Sequence, residues 1–275
     1  MKKIKLISFC SIILICCAIC LVLIYIVVPK ISYYHSVRKV WSDIKKGNEI
    51  DDSTVNAYTA PPKWQKFYAI IDSPHPESLL AEACYYHNEQ AVNVLLKNGA
   101  DPNEFLSNRW SPLEATIKYK AENDGEAVVR ITENLLEHGA DINFSSSNSY
   151  PVILQAAARL NETDETDNAF WEQMVLLYLN HGAETKGVLK LSLCSQDVAF
   201  CNRLITEYGC DINENTNGMT PLIFAVCRLK ESSFKMAQML LSHGADKTLT
   251  DSNGKTAYDY AVENGYTELA ELLKP

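Results

Sequence analysis

From residue 77 onward the apolar residues fall into short clusters at helical spacing. Cluster after cluster closes on the same run of polar and small residues. Leu95-Leu96-Lys97-Asn98-Gly99-Ala100-Asp101 returns as Leu135-Leu136-Glu137-His138-Gly139-Ala140-Asp141 and again as Leu240-Leu241-Ser242-His243-Gly244-Ala245-Asp246. Weaker copies are Tyr178-Leu179-Asn180-His181-Gly182-Ala183-Glu184 and Ile205-Thr206-Glu207-Tyr208-Gly209-Cys210-Asp211. The leucine pair reads as the last core-facing turn of a helix. Glycine supplies the left-handed residue that closes it without a Cβ penalty. Alanine is small enough for neighbouring units to press together there. The aspartate, or the Asn that follows, braces a turn through side-chain to backbone hydrogen bonds. About ten polar residues later come Ser111-Pro112-Leu113, Tyr150-Pro151-Val152 and Thr220-Pro221-Leu222. In the Ser-Pro and Thr-Pro copies the hydroxyl predicts an N-cap and the proline a first helical residue. A helix end that repeats without a repeated catalytic group describes stacked modules that present a surface.

Together the two motifs resemble the ankyrin repeat, which has a period of about 33 residues and a Thr-Pro-Leu-His-x-Ala start. The resemblance covers roughly residues 75 to 275. Glu77 to Asn103 fits without gaps, with Leu80, Ala83, Val94, Leu95, Gly99 and Ala100 in register, and the last unit fits through Thr256, Ala257, Ala261, Gly265 and Leu269 to Leu273. It implies an all-α ankyrin-repeat solenoid of about six units over residues 77–275, built of helix pairs with short β-hairpin loops. The key glycines Gly99, Gly139, Gly182, Gly209 and Gly244 lie 40, 43, 27 and 35 residues apart. The long intervals come from polar, acidic insertions at residues 121–126 and 161–167, expected as exposed loops. The short one runs almost directly from Gly182 into Val188-Leu189-Lys190-Leu191, so the projecting finger between the third and fourth units is expected to be missing.

The other end of the chain has a different pattern. A short basic tail, residues 1–5 with Lys2, Lys3 and Lys5, precedes 23 residues, Leu6 to Val28, that carry no charge. At about 1.5 Å per residue this stretch spans a hydrocarbon core of about 30 Å, and it reads as a transmembrane signal anchor in contact with a lipid bilayer. The competing reading is a cleaved signal, whose apolar region would be about 7–15 residues followed by a small-residue cleavage site. The lysines of the tail favour its retention in the cytoplasm, which would place the repeats outside. Lys30, Arg38, Lys39, Lys45 and Lys46 pull the other way. In a Gram-negative cell the expected location is the inner membrane, single-pass, with a periplasmic repeat domain. Residues 30–76 form a helical cap or linker, with Val37, Val40, Trp41 and Ile44 on one face of a helix over residues 33–46.

Charge narrows the partners. Residues 1–30 carry four lysines and no acid, which leaves 21 basic and 34 acidic side chains and a formal charge of −13. Such a domain repels nucleic acid and suits either simple solubility or a basic protein partner. Five cysteines lie beyond the apolar stretch, Cys84, Cys194, Cys201, Cys210 and Cys227; their odd number and loose spacing form no disulfide framework, although a Cys194–Cys201 bridge across one helix pair stays open. His138, His181 and His243 each precede a repeat glycine, which reads as a helix-end position facing the macrodipole rather than as a metal or catalytic group. No motif calls for a metal, a cofactor or an enzymatic reaction.

The resemblance to ankyrin proteins implies that a protein partner binds at the fingertips and the concave helix face. The tip residues are Glu104, Phe105, Arg109 and Trp110 in the first finger, Phe144, Asn148 and Tyr150 in the second, and Asn215, Asn217 and Met219 in the fourth. Trp110 beside Arg109 stands out, because aromatics and arginine dominate binding hot spots; the competing reading packs Trp110 against its own hairpin. The plan of a short lysine-rich anchor followed by a compact, irregular array looks like that of bacterial immunity proteins paired with type VI secretion phospholipase effectors. That resemblance implies a toxin inhibitor acting by occlusion. The rival is a scaffold or accessory factor that tethers another protein at the membrane.

Overall fold

The computed structural model describes residues 38–52, 78–105, 110–118, 125–145, 149–160, 165–228 and 232–274. The apolar stretch at residues 6–28 lies outside them, as do Arg109, Asn148 and most of both acidic insertions. Among the described residues no helix is long and apolar enough to cross a membrane.

A short helix, α1, covers residues 38–45. Six helix pairs follow: α2 Leu79–Tyr85 with α3 Glu89–Lys97, α4 Pro112–Ala115 with α5 Gly125–Glu137, and α6 Val152–Arg159 with α7 Glu165–Asn180. After them come α8 Val188–Ser192 with α9 Val198–Thr206, α10 Pro221–Arg228 with α11 Ser233–Ser242, and α12 Ala257–Glu263 with α13 Thr267–Leu273. The chain divides into two compact units between Ala140 and Asp141. In the first, α2 packs on α3 and α4, and α3 on α5. In the second, α6, α8, α10 and α12 form one row, while α9, α11 and α13 form a second row behind it. Each unit is therefore two layers of helix with the core between them. No strand forms among the described residues. Isolated bridges at Thr216–Met219 and Thr250–Thr256 stand where hairpins were expected.

The repeated phrase works as its residue types dictate. Leu95, Leu135, Tyr178 and Leu240 are all fully buried. The next turn closes on them: the amides of Ala100, Ala140, Ala183 and Ala245 donate to the carbonyls of Leu95, Leu135, Tyr178 and Leu240 at 2.9 to 3.1 Å. The glycines between them have φ of 80 to 89°, and a Cβ on any of the four would meet nothing within 4 Å, so backbone conformation and not space demands glycine. The fourth copy departs from the sequence alignment. There Cys210 donates to Leu204, six residues back, and Leu204 is the fully buried residue while Ile205 is half-buried. One extra residue in the helix end shifts the phrase by one position.

The Asp-x-Asn that follows the phrase fastens each finger to the unit behind it. Asp101 accepts the amide of Asn103 at 2.9 Å, and the Asn103 side chain donates to the carbonyl of Gly139 at 2.8 Å. Asp141 and Asn143 repeat this at 3.0 and 3.2 Å toward Gly182, and Asn143 Oδ1 also accepts the amide of Glu184 at 2.9 Å. Asp211 likewise accepts the amide of Asn213 at 2.9 Å, and Asn213 Oδ1 accepts the amide of Asp246 at 2.8 Å. Each such bond contributes about 0.5–1.5 kcal/mol, so the staples add to stability unit by unit. In the last finger Asp251 is buried and accepts from Tyr260 OH at 2.6 Å and from the amides of Asn253 and Lys255; these donors hold its carboxyl down at about 2.

At the other edge, α1 puts Val40 and Ile44 into the core. Asn88 donates to the carbonyls of Ile44 and Asn48. Gln90 exchanges two hydrogen bonds with the Ile50 backbone at 2.9 and 3.1 Å, and Lys97 and Asn98 both reach Asp52. Residues 38–52 are thereby fixed along the first helix pair.

Candidate functional site

The finger bases place the predicted tip residues. Ser111 caps α4 in a reciprocal box, its Oγ accepting from Glu114 N and its own amide donating to Glu114 Oε2 at 3.0 Å. This box fixes the chain direction just before Pro112, and hence the origin of Trp110. The Trp110 ring has a partner on another helix. It stacks on Tyr85 at the end of α2, with centroids 5.7 Å apart and planes 8° from parallel, and Lys118 Nζ sits 5.6 Å from its centroid. Tyr85 in turn meets Tyr86 edge-on at 5.0 Å. Lys45 of α1 lies over both Tyr86 and Trp41, at 5.9 and 5.1 Å. All four rings are half-buried.

Glu104 and Phe105 are half-buried at the root of the same finger, where Glu104 N donates to Asp101 O. In the second finger Phe144 is half-buried, with its amide on Asp141 O, whereas Tyr150 is 70% exposed, the most exposed large apolar side chain among the described residues. The fourth finger turns at Asn217 and Gly218, both with positive φ (53° and 75°), so that Thr216 and Met219 exchange amide hydrogen bonds. Gly218 is needed for space as well: a Cβ there would lie 3.2 Å from Ser252 of the next finger. Asn215 and Asn217 are exposed and Met219 half-buried. Between α7 and α8 the chain makes only turns, and no finger stands at residues 183–187. Its place is closed by the following finger: Glu214 accepts the Gly187 amide at 2.7 Å, and Lys190, buried and held below its usual pKa by desolvation, donates to the Thr216 carbonyl.

The polar groups that invite a chemical reading have structural partners. His138 and His181 each turn Nδ1 onto the carbonyl four residues back, at 2.8 and 3.1 Å, and His243 Nε2 meets Asn202 Oδ1. The five described cysteines are free thiols, so no Cys194–Cys201 bridge is present. Burial pushes every one of them up, Cys210 and Cys227 to about 11, which keeps them protonated and unreactive near neutral pH. Among the described residues no group of three His, Cys, Asp or Glu could hold a metal ion. A histidine absent from the phrase has a clearer role: buried His87, at φ 51°, meets the Thr116 carbonyl with Nε2 at 2.9 Å and ties α2 to α4.

Residues 174–275 match the family model for ankyrin repeats, in three copies. Over these residues the chain carries ankyrin repeats. It is 35% identical over 80 residues to a putative ankyrin repeat protein, YahD, of Escherichia coli, covering 28% of this chain and 39% of that one. Over 143 residues it is 26% identical to human ankyrin repeat and SOCS box protein 6, covering 48% and 32%. The chain thus spans less than two fifths of these curated relatives. Among solved structures, an ankyrin repeat domain from Acinetobacter baumannii is similar over 70% of this chain and 95% of its own, with TM-score 0.57 and 22% identity. The ankyrin repeat domain of human ASB11 is similar over 86% and 97%, with TM-score 0.59 and 18% identity. The shared property is the fold. Ankyrin repeats are protein-binding modules, and no enzyme family is indicated.

Proposed function

We propose that this protein is a membrane-tethered binding module that neutralises a secreted antibacterial toxin of the lipase class by covering it. The binding half of the reading is carried by one observation: the first unit spends four aromatic side chains and two lysines on a half-exposed surface rather than on the core. Tyrosine and tryptophan held this way supply contact area at low entropic cost and are the residue types in which binding energy concentrates. The tether is supported by 23 uncharged residues, Leu6 to Val28, behind three lysines, and the acidic array would then face the periplasm. The toxin is supported by the plan of the chain, anchor then compact irregular array, which is shared with ankyrin immunity proteins and is an analogy of architecture. Occlusion is the mechanism left to such a surface: the array sits across the toxin's substrate entrance near the bilayer.

The test is protection. Cells that make a periplasm-directed lipase toxin encoded beside this chain are expected to survive when the full chain is co-expressed and to lyse without it. Lysis in both cases would overturn the inhibitor reading and favour a tether for another envelope protein.

A further inference from the structure

We propose that a polar groove in the second unit is a second binding site, one that seats an arginine side chain carried on a polypeptide segment. This site is independent of the aromatic strip and of toxin inhibition. It exists because α7 is long, with 16 residues against 9 in α9 and 10 in α11. All three helices end two or three residues before their phrase glycine, so the extra turns of α7 lie at its start. Beside those turns opens a groove of about 1230 Å³. Its lining takes Ala169 and Glu172 from α7, Ser195 and Asp197 from the turn into α9, and Ser232 and Lys235 from the start of α11. The turn is held in place. Gln196 has a left-handed φ of 60°, and Ser195 Oγ accepts the Asp197 amide at 3.2 Å. Asp197 Oδ1 caps α9 by accepting the amides of Ala199 and Phe200 at 2.7 and 3.0 Å, which orients the carboxylate and leaves Oδ2 outside the cap.

The electrostatics call for a cation. Glu172 is half-buried; burial holds its carboxyl above the usual carboxylate range, Asp197 adds to the effect, and a hydrogen bond with Ser195 offsets part of it. Among the described residues neither carboxylate pairs with a cation, and Lys235, exposed at the edge, is the lining's lone cation and is outweighed by the two. A carboxylate that is partly desolvated beside a second one gains more from an incoming positive charge than a solvated one does. Arginine suits the site because its planar fork of donors can reach both Glu172 and Asp197, while its alkyl stem lies on Ala169, Val198 and Ala199. A small free cation would stay hydrated in so open a groove. A side chain delivered on a polypeptide that also covers the groove excludes that water and strengthens the pairing. The formal charge of −13 beyond residue 30 attracts such a segment and repels an anionic one.

The test uses the full chain and a fluorescent peptide of alternating arginine and alanine, read by anisotropy. The same peptide with citrulline, a neutral isostere, in place of arginine serves as control. The arginine peptide is expected to bind at least several-fold more tightly. Glu172→Gln is expected to weaken it roughly tenfold, the scale of losing a charge-assisted hydrogen bond, and Asp197→Asn, which keeps a good N-cap, is expected to weaken it as well. Lys235→Glu is expected to tighten binding, a gain that damage to the fold would not produce. Glu268→Gln, exposed on α13, is expected to leave it unchanged. Equal binding of the two peptides, equal loss with Glu268→Gln, or no gain with Lys235→Glu would overturn the site. Free argininamide binding as tightly as the peptide would overturn the polypeptide as its occupant. Protection against the toxin would stand in each case, so the two readings fail separately.

Discussion

Leu135→Ala is expected to destabilise the protein by about 2–5 kcal/mol, the range for emptying a buried leucine site. Leu135 is fully buried, and the turn that ends α5 closes on its carbonyl through Ala140 N at 2.9 Å. The rest of that helix end cannot move in to fill the gap. Gly139 is held at φ 87°, and its carbonyl accepts from Asn103 of the preceding finger. A site braced on both sides relaxes little, which favours the upper part of the range. Leu136→Ala, one residue along and half-buried, is the internal comparison and should cost clearly less. Urea unfolding followed by far-UV circular dichroism measures both. Equal costs would mean that the leucine pair does not divide into a core and a flank position.

The second large effect concerns binding. Trp110→Ala is expected to weaken the partner complex by about 2 kcal/mol or more, roughly thirtyfold in Kd, as truncation of a packed interface aromatic does. The substitution removes the ring that Tyr85 stacks on and over which Lys118 lies, so both neighbours lose their packing partner. Tyr150→Ala, at a tip that is 70% exposed, removes area without a packed neighbourhood and is expected to cost less. Calorimetric titration of the full chain with its partner separates the two. Because Trp110 is half-buried, a thermal melt of each variant distinguishes lost contact from lost fold.

The contrast between these two sites marks what the amino-acid order makes legible. The phrase around Leu135 is local: its leucine, glycine and aspartate act within seven residues, so their types and spacing suffice to place a helix end, a left-handed residue and a turn. The missing finger after Gly182 could be read the same way, as a length. The register of the fourth copy could not, since an extra residue at a helix end leaves an apolar pair, Leu204-Ile205, that fits either alignment, and only packing decides that Leu204 goes inside. The Asp-x-Asn motif suggested a braced turn, but not that the asparagine reaches the carbonyl of the next unit's glycine. The strip was the least visible part. Trp110 stood out by type, yet its stacking partner lies 25 residues earlier at the end of a different helix, and Lys45 comes from outside the repeats altogether. Residue type marks a candidate, and the stacking of units decides what it touches.

The most direct test of the account is hydrogen exchange of the full chain, alone and in complex with its partner. If the first unit's aromatic strip is the binding surface, peptides covering residues 79–88 and 110–118 exchange more slowly in the complex, while the outer helix at residues 198–206 is unchanged. Protection confined to the outer helices, with residues 79–88 and 110–118 exchanging as in the free chain, would contradict it.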